Sequence, residues 1–236
     1  MELYFAYPQH ISSTGAQFDT FETQHMLKSM RKKMGDIIYF TDGIGHLFKG
    51  EITSIKPLIK VKHQLIRKEK HHIDQIAIGV GFIRHNRMDF AIEKATELGV
   101  DYIYLVRSRY SNYFTPNSGR WEKIARQAIK QSLRLFLPQI QMISDLRHFL
   151  EQVSTFHKKY LLDQNTDIIL GTILNSSEDK QGGDTVCLIG PEGGLDKDEL
   201  SFAKRSGFQP VSLGRYRLRT ETAVVAALSI MSINRN

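Results

Sequence analysis

From residue 75 onward the chain alternates short apolar runs with amphipathic stretches, and this alternation predicts a mostly parallel sheet with helices on both faces. Gln75-Ile76-Ala77-Ile78-Gly79-Val80 opens the series as a strand. A helix follows from about Arg87 to Leu98, with Asn86 as N-cap and Gly99 as the stop. Tyr102 to Val106 is the next strand. After it, Trp121, Ile124, Ala125, Ala128, Ile129, Ser132 and Leu133 fall on one helical face. Gln139 to Ile143, Tyr160 to Leu162 and Thr185 to Ile189 read as further strands. Asp196 with Glu199 three residues on forms an acidic capping box, opening a helix that ends before Gly207. Val211-Ser212-Leu213 is the last strand. The last helix, Thr220 to Ile233, is apolar on nearly every side, so it belongs in the core or against a second subunit.

The first part of the chain has a different grain. Ile37-Ile38-Tyr39-Phe40, ending in the turn Thr41-Asp42-Gly43, reads as a strand, and His46 to Ile52 and Leu58 to Val61 as weaker ones. One helix is expected around Thr23 to Met30. Short strands around a short helix predict a small β-barrel over residues 1–70. The charged segment Arg67 to His72 is the boundary, leaving 71–236 as the α/β domain.

Several classes are excluded by composition. No run approaches the roughly 20 apolar residues that span a bilayer, and the segment from Met1 to Phe5 lacks the features of a secretory signal. Cys187 is the lone cysteine and the nine histidines show no ligand spacing, so no metal is expected. A cytoplasmic protein is the expectation. The formal charge of +7 favours a polyanionic partner. Residues 107–134 carry Arg107, Arg109, Arg120, Lys123, Arg126, Lys130 and Arg134 against the single acid Glu122. Arg120, Lys123, Arg126, Lys130 and Arg134 lie off the apolar helical face. The spacing therefore puts them on an exposed surface, where arginines suit paired contacts with phosphate. A solvated helix face without a partner would have the same pattern.

Two segments carry potential chemistry. Ile189-Gly190-Pro191-Glu192-Gly193-Gly194 joins a strand to a capped helix, and its glycines let a ligand approach the main chain. It lacks the Lys-Ser/Thr of a P-loop and comes too late in the chain for a dinucleotide fingerprint. Leu213-Gly214-Arg215-Tyr216-Arg217-Leu218-Arg219-Thr220-Glu221 places three arginines at the entrance to an apolar helix. Thr220 as cap and Glu221 against the dipole would suit any helix start. The arginines would not, since cations are unfavourable there, and they point to a bound anion or a carboxylate partner.

Gly190 to Gly194, followed by Leu213-Gly214 and Leu218-Arg219-Thr220-Glu221-Thr222-Ala223, resembles the ribosomal RNA small subunit methyltransferase E family. These are the 16S rRNA uracil-N3 methyltransferases of the SPOUT superfamily. Glu93 to Val100 matches the family's Lys-Ala-Thr-Glu-Leu-Gly-Val signature, and Gln127 to Arg134 with Pro138 matches its Glu-Ala-x-x-Gln-Ser-x-Arg…Pro signature. The N-terminal part resembles its PUA-like RNA-binding barrel, with His25 and Gly35-Asp36 in the usual places. The resemblance implies a SPOUT α/β domain with a deep trefoil knot, a homodimer, and S-adenosylmethionine as cofactor. Leu162, Ile189, Gly190, Pro191, Glu192, Gly193, Gly194, Leu213, Gly214 and Leu218 would form the cofactor cradle. His25, Arg126, Lys130, Gln131 and Arg134 would meet the RNA of the small ribosomal subunit.

Methylating uracil N3 requires removal of its proton and stabilisation of negative charge on O2 and O4. Arg219 is expected to donate to that charge and Glu221 to accept the proton. The chain departs from the family at Tyr216-Arg217, where Arg-Ile is usual, and near Arg84-His85, where Lys-Gly is usual. The alternatives are a SPOUT methyltransferase for another RNA position and a non-catalytic RNA-binding assembly factor.

Overall fold

The structure is a computed structural model that describes residues 2–111, 117–175 and 182–235. It divides into two compact units. The first comprises residues 1–71 and 126–137, and the second 72–125 and 138–236. The division falls between residues 71 and 72, and residues 126–137 are assigned to the first unit.

In the first unit, strands β1 (Leu3–Phe5), β2 (Gly15–Gln17), β3 (Ile37–Thr41), β4 (His46–Ser54) and β5 (Lys60–Lys68) form a sheet ordered β1-β3-β4-β5-β2. The curled sheet encloses Phe18, Met26, Ile38, Phe40, Ile52, Ile59 and Val61. Phe40 stacks on Phe48 at 4.9 Å and meets the edge of Phe18 at 5.3 Å. Helix α1 is Thr20–Gln24, continued by a wider turn over His25–Ser29. It starts ahead of the expected Thr23 because Asp19 caps it, accepting from the Glu22 N–H at 2.7 Å. β5 runs on through Lys68, beyond the expected Val61, because most of its side chains face solvent and tolerate charge.

In the second unit, strands β6 (Ile76–Gly81), β7 (Tyr102–Val106), β8 (Gln139–Ile143), β9 (Lys158–Leu162), β10 (Thr185–Ile189) and β11 (Gln209–Val211) form an all-parallel sheet ordered β11-β9-β10-β6-β7-β8. The chain builds outward from β6 to β8, then crosses to β9 on the far side of β10. β6 and β10 are central and buried along their whole lengths. The helices are α2 (His85–Glu97), α3 (Ser118–Ser132), α4 (Leu146–Gln152), α5 (Leu170–Leu174), α6 (Lys197–Arg205) and α7 (Thr220–Ile233).

Most of these elements follow the sequence periodicity, with some corrections. The N-cap of α2 is Arg84, without a side-chain cap, rather than Asn86. The last strand lies two residues earlier than expected, over Gln209–Val211. Pro210 is tolerated there because β11 is the sheet's edge and one missing N–H leaves no ladder bond unmade on its open side. Leu133, placed by periodicity on the apolar face, lies past the helix end at φ 58° and is exposed. Short helices α4 and α5 were not expected. α7 packs on α2, α5, β6 and β10, burying Ala223, Val224, Ala227, Leu228 and Met231.

Candidate active site

The loops that follow β9, β10 and β11 leave the carboxyl ends of three neighbouring strands, the usual place for ligands on an open parallel sheet. They enclose a cavity of ≈ 600 Å³. Leu162, Ile189, Gly190, Pro191, Glu192, Gly194, Leu213, Gly214, Leu218 and Arg219 all line it. The glycine turn and the arginine-rich turn, separate in the sequence, thus form one pocket. Asp163, Gln164, Asn165, Ser212 and Tyr216 also line it, and sequence reasoning missed them because no motif marks the β9 loop.

Side chains tie the two turns together. Thr220 Oγ1 donates to the Gly190 carbonyl at 3.1 Å, and Arg217 Nη2 donates to the Glu192 carbonyl at 3.3 Å. Thr220 therefore does not cap α7; the N-cap is Arg219, and its side chain makes no cap hydrogen bond. The hydroxyl serves a carbonyl across the pocket instead of an amide in its own helix. Within the glycine turn the Gly194 N–H donates to the Pro191 carbonyl at 2.8 Å. A Cβ at Gly190 would stand 3.2 Å from the Gly194 carbonyl carbon and the Leu195 nitrogen, so a side chain there would force the turn open.

Two expected residues lie elsewhere. Gly193 does not line the cavity; its backbone lies under Tyr110, where an added Cβ would be 3.0 Å from the Tyr110 Cβ. Glu221 is buried and also outside the lining, with its carboxylate 3.6 Å from Arg87 Nε and one oxygen without a hydrogen bond. Arg87, unremarked in the sequence, also donates to Glu192 at 2.8 Å. It thereby joins the glycine turn to the start of α7. Arg219 is exposed at the positive end of α7, and its side chain has no hydrogen-bond or ion-pair partner among the described residues.

The start of α6 is pinned from a second side. Arg109 donates from its main chain to Glu199 and from its guanidinium to Asp196, at 2.8 and 2.9 Å. The Glu199 N–H, and then the Arg109 guanidinium, hold the Asp196 carboxyl below its ordinary range. Cys187, on β10, is fully buried, and burial alone pushes its thiol up to about 12, so it is no nucleophile. Among the described residues no group of three or more His, Cys, Asp and Glu could hold a metal ion, and no helix is long and apolar enough to cross a membrane.

Of the basic residues of α3, Arg120 and Lys123 are exposed as expected, Arg120 paired with Asp89, but Arg126 and Lys130 are not on an open surface. Arg126 is 14% exposed, pairs with Asp19 at 2.9 Å and lies over the rings of Tyr7 and Phe5 at 5.0 and 5.5 Å. Lys130 is 12% exposed and pairs at 2.8 Å with Glu22, a carboxylate only 4% exposed. Both cations compensate acids of α1, whose charge would otherwise be poorly solvated. Gln131 is exposed, Arg134 half-buried, and His25 half-buried with its ring 6.3 Å from that of Tyr4.

Comparison with known proteins agrees with this geometry. Residues 69–232 match the family model for the RNA methyltransferase domain, and residues 22–62 that for the RNA methyltransferase PUA domain. The ribosomal RNA small subunit methyltransferase E of Mesomycoplasma hyopneumoniae is 30% identical over 176 residues, covering 71% of this chain and 75% of that protein. Its namesake in Buchnera aphidicola subsp. Acyrthosiphon pisum is 28% identical over 224 residues, covering 89% and 85%. Among solved structures, a ribosomal RNA small subunit methyltransferase E from Neisseria gonorrhoeae bound to S-adenosyl methionine superposes with a TM-score of 0.84 at 26% identity, over 99% of this chain and 97% of that one. With its α/β unit matched almost throughout, residues 22–62 of its first unit matched to the PUA model and its two signature turns joined in one cavity, the chain belongs to the ribosomal RNA small subunit methyltransferase E family.

Proposed function

We propose that the chain transfers a methyl group from S-adenosylmethionine to N3 of a uridine in small-subunit ribosomal RNA. The observation that carries this reading is the ≈ 600 Å³ cavity shared by the glycine and arginine-rich turns. Its volume lies within the range of small-molecule sites, about 300–1,000 Å³. Main chain at Ile189, Gly190, Gly194, Leu213 and Leu218 can meet polar groups, and Leu162, Val211 and Ala223 present apolar surface. A Cβ at Gly190 would press on the main chain of Gly194 and Leu195 at 3.2 Å, so glycine suits this close main-chain turn. S-adenosylmethionine supplies an electrophilic methyl group on a sulfonium.

Uracil N3 is nucleophilic only after its proton leaves, and the charge then spreads to O2 and O4. Arg219 stands at the amino end of α7, where the helix field is positive and a cation is disfavoured by about 0.3–1 kcal/mol. An anion beside it reverses that penalty, so the unpartnered guanidinium suits a developing oxyanion. Glu221 faces Arg87 rather than the cavity and is better placed to anchor the helix start than to take the proton. N3 lies on the pairing edge, so the target must be unpaired or extruded. Exposed Gln131, with Arg134 and His25, remain the candidates for RNA contact. Arg126 and Lys130 hold α1 to the second half of α3. The proposal includes a homodimer, for which the apolar composition of α7 and its exposed last residue, Ile233 at 82%, are the support. We include the deep trefoil knot of the fold in the proposal, with α7 threaded through the preceding loop, and a cytoplasmic site of action follows from a ribosomal substrate.

The test is calorimetric titration with S-adenosylmethionine, followed by methylation of unmodified small ribosomal subunits and mapping of the product. The parent chain should bind and transfer. Arg219→Ala should bind with little change yet lose about 10²–10³-fold in turnover. Failure of the parent chain to bind the methyl donor removes the enzyme reading; undiminished turnover in Arg219→Ala removes that residue from the mechanism.

A further inference from the structure

We propose that Tyr216 is the platform on which the target base stacks at the mouth of the cavity. The inference rests on the methyltransferase reading above and extends it to how the base is held. Tyr216 lines the cavity and is nevertheless 68% exposed. An exposed aromatic ring at the rim of a polar pocket offers a flat apolar surface to whatever enters from solvent. Its position is fixed from one side. The Arg215 guanidinium lies over the ring at 4.7 Å from the centroid, and its Nη2 donates to the Tyr216 hydroxyl at 2.6 Å. Among the described residues no other aromatic ring or cation lies against Tyr216. The ring is thus held by one neighbour and open to a second.

The next residue ties the loop to the glycine turn. Arg217, next in sequence, is bonded to the Glu192 carbonyl, and two residues later Arg219 faces the same cavity. A base resting on Tyr216 would therefore lie within the pocket that presents the unpartnered guanidinium. Stacking suits the occupant proposed. A uridine drawn out of its RNA loses its stacking neighbours, and an aromatic side chain restores a π-contact without demanding sequence. The cofactor is a less suitable partner for this ring, because Gly190, Gly194 and Leu213 are half-buried whereas the tyrosine is exposed. Tyr216 also stands where the family pattern has an arginine, so the platform is a property of this chain and not of the resemblance.

Steady-state methylation of unmodified small ribosomal subunits, with S-adenosylmethionine affinity measured separately by calorimetry, tests the idea. Tyr216→Ala should reduce kcat/KM for the subunits roughly ten- to hundredfold, as expected for loss of one base–aromatic stack. Its affinity for the methyl donor should not change. Tyr216→Phe should behave like the parent, because the contact needs the ring and not the hydroxyl. Weakened donor binding in Tyr216→Ala with unchanged kinetics toward the subunits would assign the ring to the cofactor and overturn the proposal. So would parent-like kinetics in Tyr216→Ala, or a Tyr216→Phe as impaired as the alanine variant. A parent chain that transfers no methyl group overturns the methyltransferase reading and this inference with it, whereas an active parent with any of the Tyr216 outcomes just named overturns this inference alone.

Discussion

Arg87 sits between two carboxylates, 2.8 Å from Glu192 and 3.6 Å from Glu221. One belongs to the glycine turn and the other to the first turn of α7, so a single guanidinium fixes the spacing of the two walls of the cavity. Arg87→Ala is expected to destabilise the fold by about 1–3 kcal/mol, because Glu221 is left buried without its cation. Urea denaturation checks this. Combining it with Glu221→Gln should cost less than the two separate losses, since the second change removes the charge that the first strands. An unchanged midpoint in Arg87→Ala would show that the bridge contributes nothing. Sequence reading set Glu221 against the dipole of its own helix and gave no sign of Arg87. Arg87 and Glu221 are far apart in the chain, and only the packing of α2 on α7 brings them together.

The start of α6 is the element whose local sequence says most. Asp196 accepts from the Glu199 N–H at 2.7 Å and Glu199 returns the bond to the Asp196 N–H at 2.9 Å, completing the capping box read from residue types alone. That cap is legible because both partners lie within one helical turn. The folded-state value of Asp196 is depressed, chiefly by the Glu199 N–H. Its contribution is therefore fully present above the unfolded carboxyl value, about 3.9, and is lost as pH falls through the lower folded value. Asp196→Ala should lower the urea midpoint at pH 7, and the difference from the parent should shrink as the solution is taken well below pH 4. A difference independent of pH would mean that the ionised cap is not what stabilises this helix start. α4 and α5 carry only two or three buried apolar residues each, too few for periodicity to stand out, which is why sequence reading passed over them.

At the scale of the molecule, the second half of α3 is the segment whose allegiance matters. Residues 126–137 group with residues 1–71. Arg126 and Lys130 neutralise Asp19 and Glu22, and Leu135 packs with Leu3 and Leu47. A fragment spanning 72–236 would leave those cations unpaired and that leucine uncovered. Hydrogen exchange should find the amides of 126–137 protected in the full chain and unprotected in the fragment. Equal protection in both would mean that the segment does not depend on its partners in the first unit. This is also where the reading of the basic cluster went astray. Helical spacing shows correctly that Arg126 and Lys130 lie off the apolar face. A polar face can nevertheless be covered by acids from distant elements, and spacing is silent on that.

The sequence by itself determined the longer strands and helices, the parallel α/β plan, the Asp196–Glu199 cap of α6 and the two loops able to hold a ligand. All of these depend on residues close in the chain, where periodicity, propensity and local hydrogen bonding act directly. Only the tertiary structure decided that the two loops share a cavity, that Thr220 serves Gly190 rather than its own helix, that Glu221 faces Arg87, and that Arg126 and Lys130 are already paired. Those outcomes rest on which distant charge or carbonyl comes within a few ångströms after burial, and no local pattern encodes that distance.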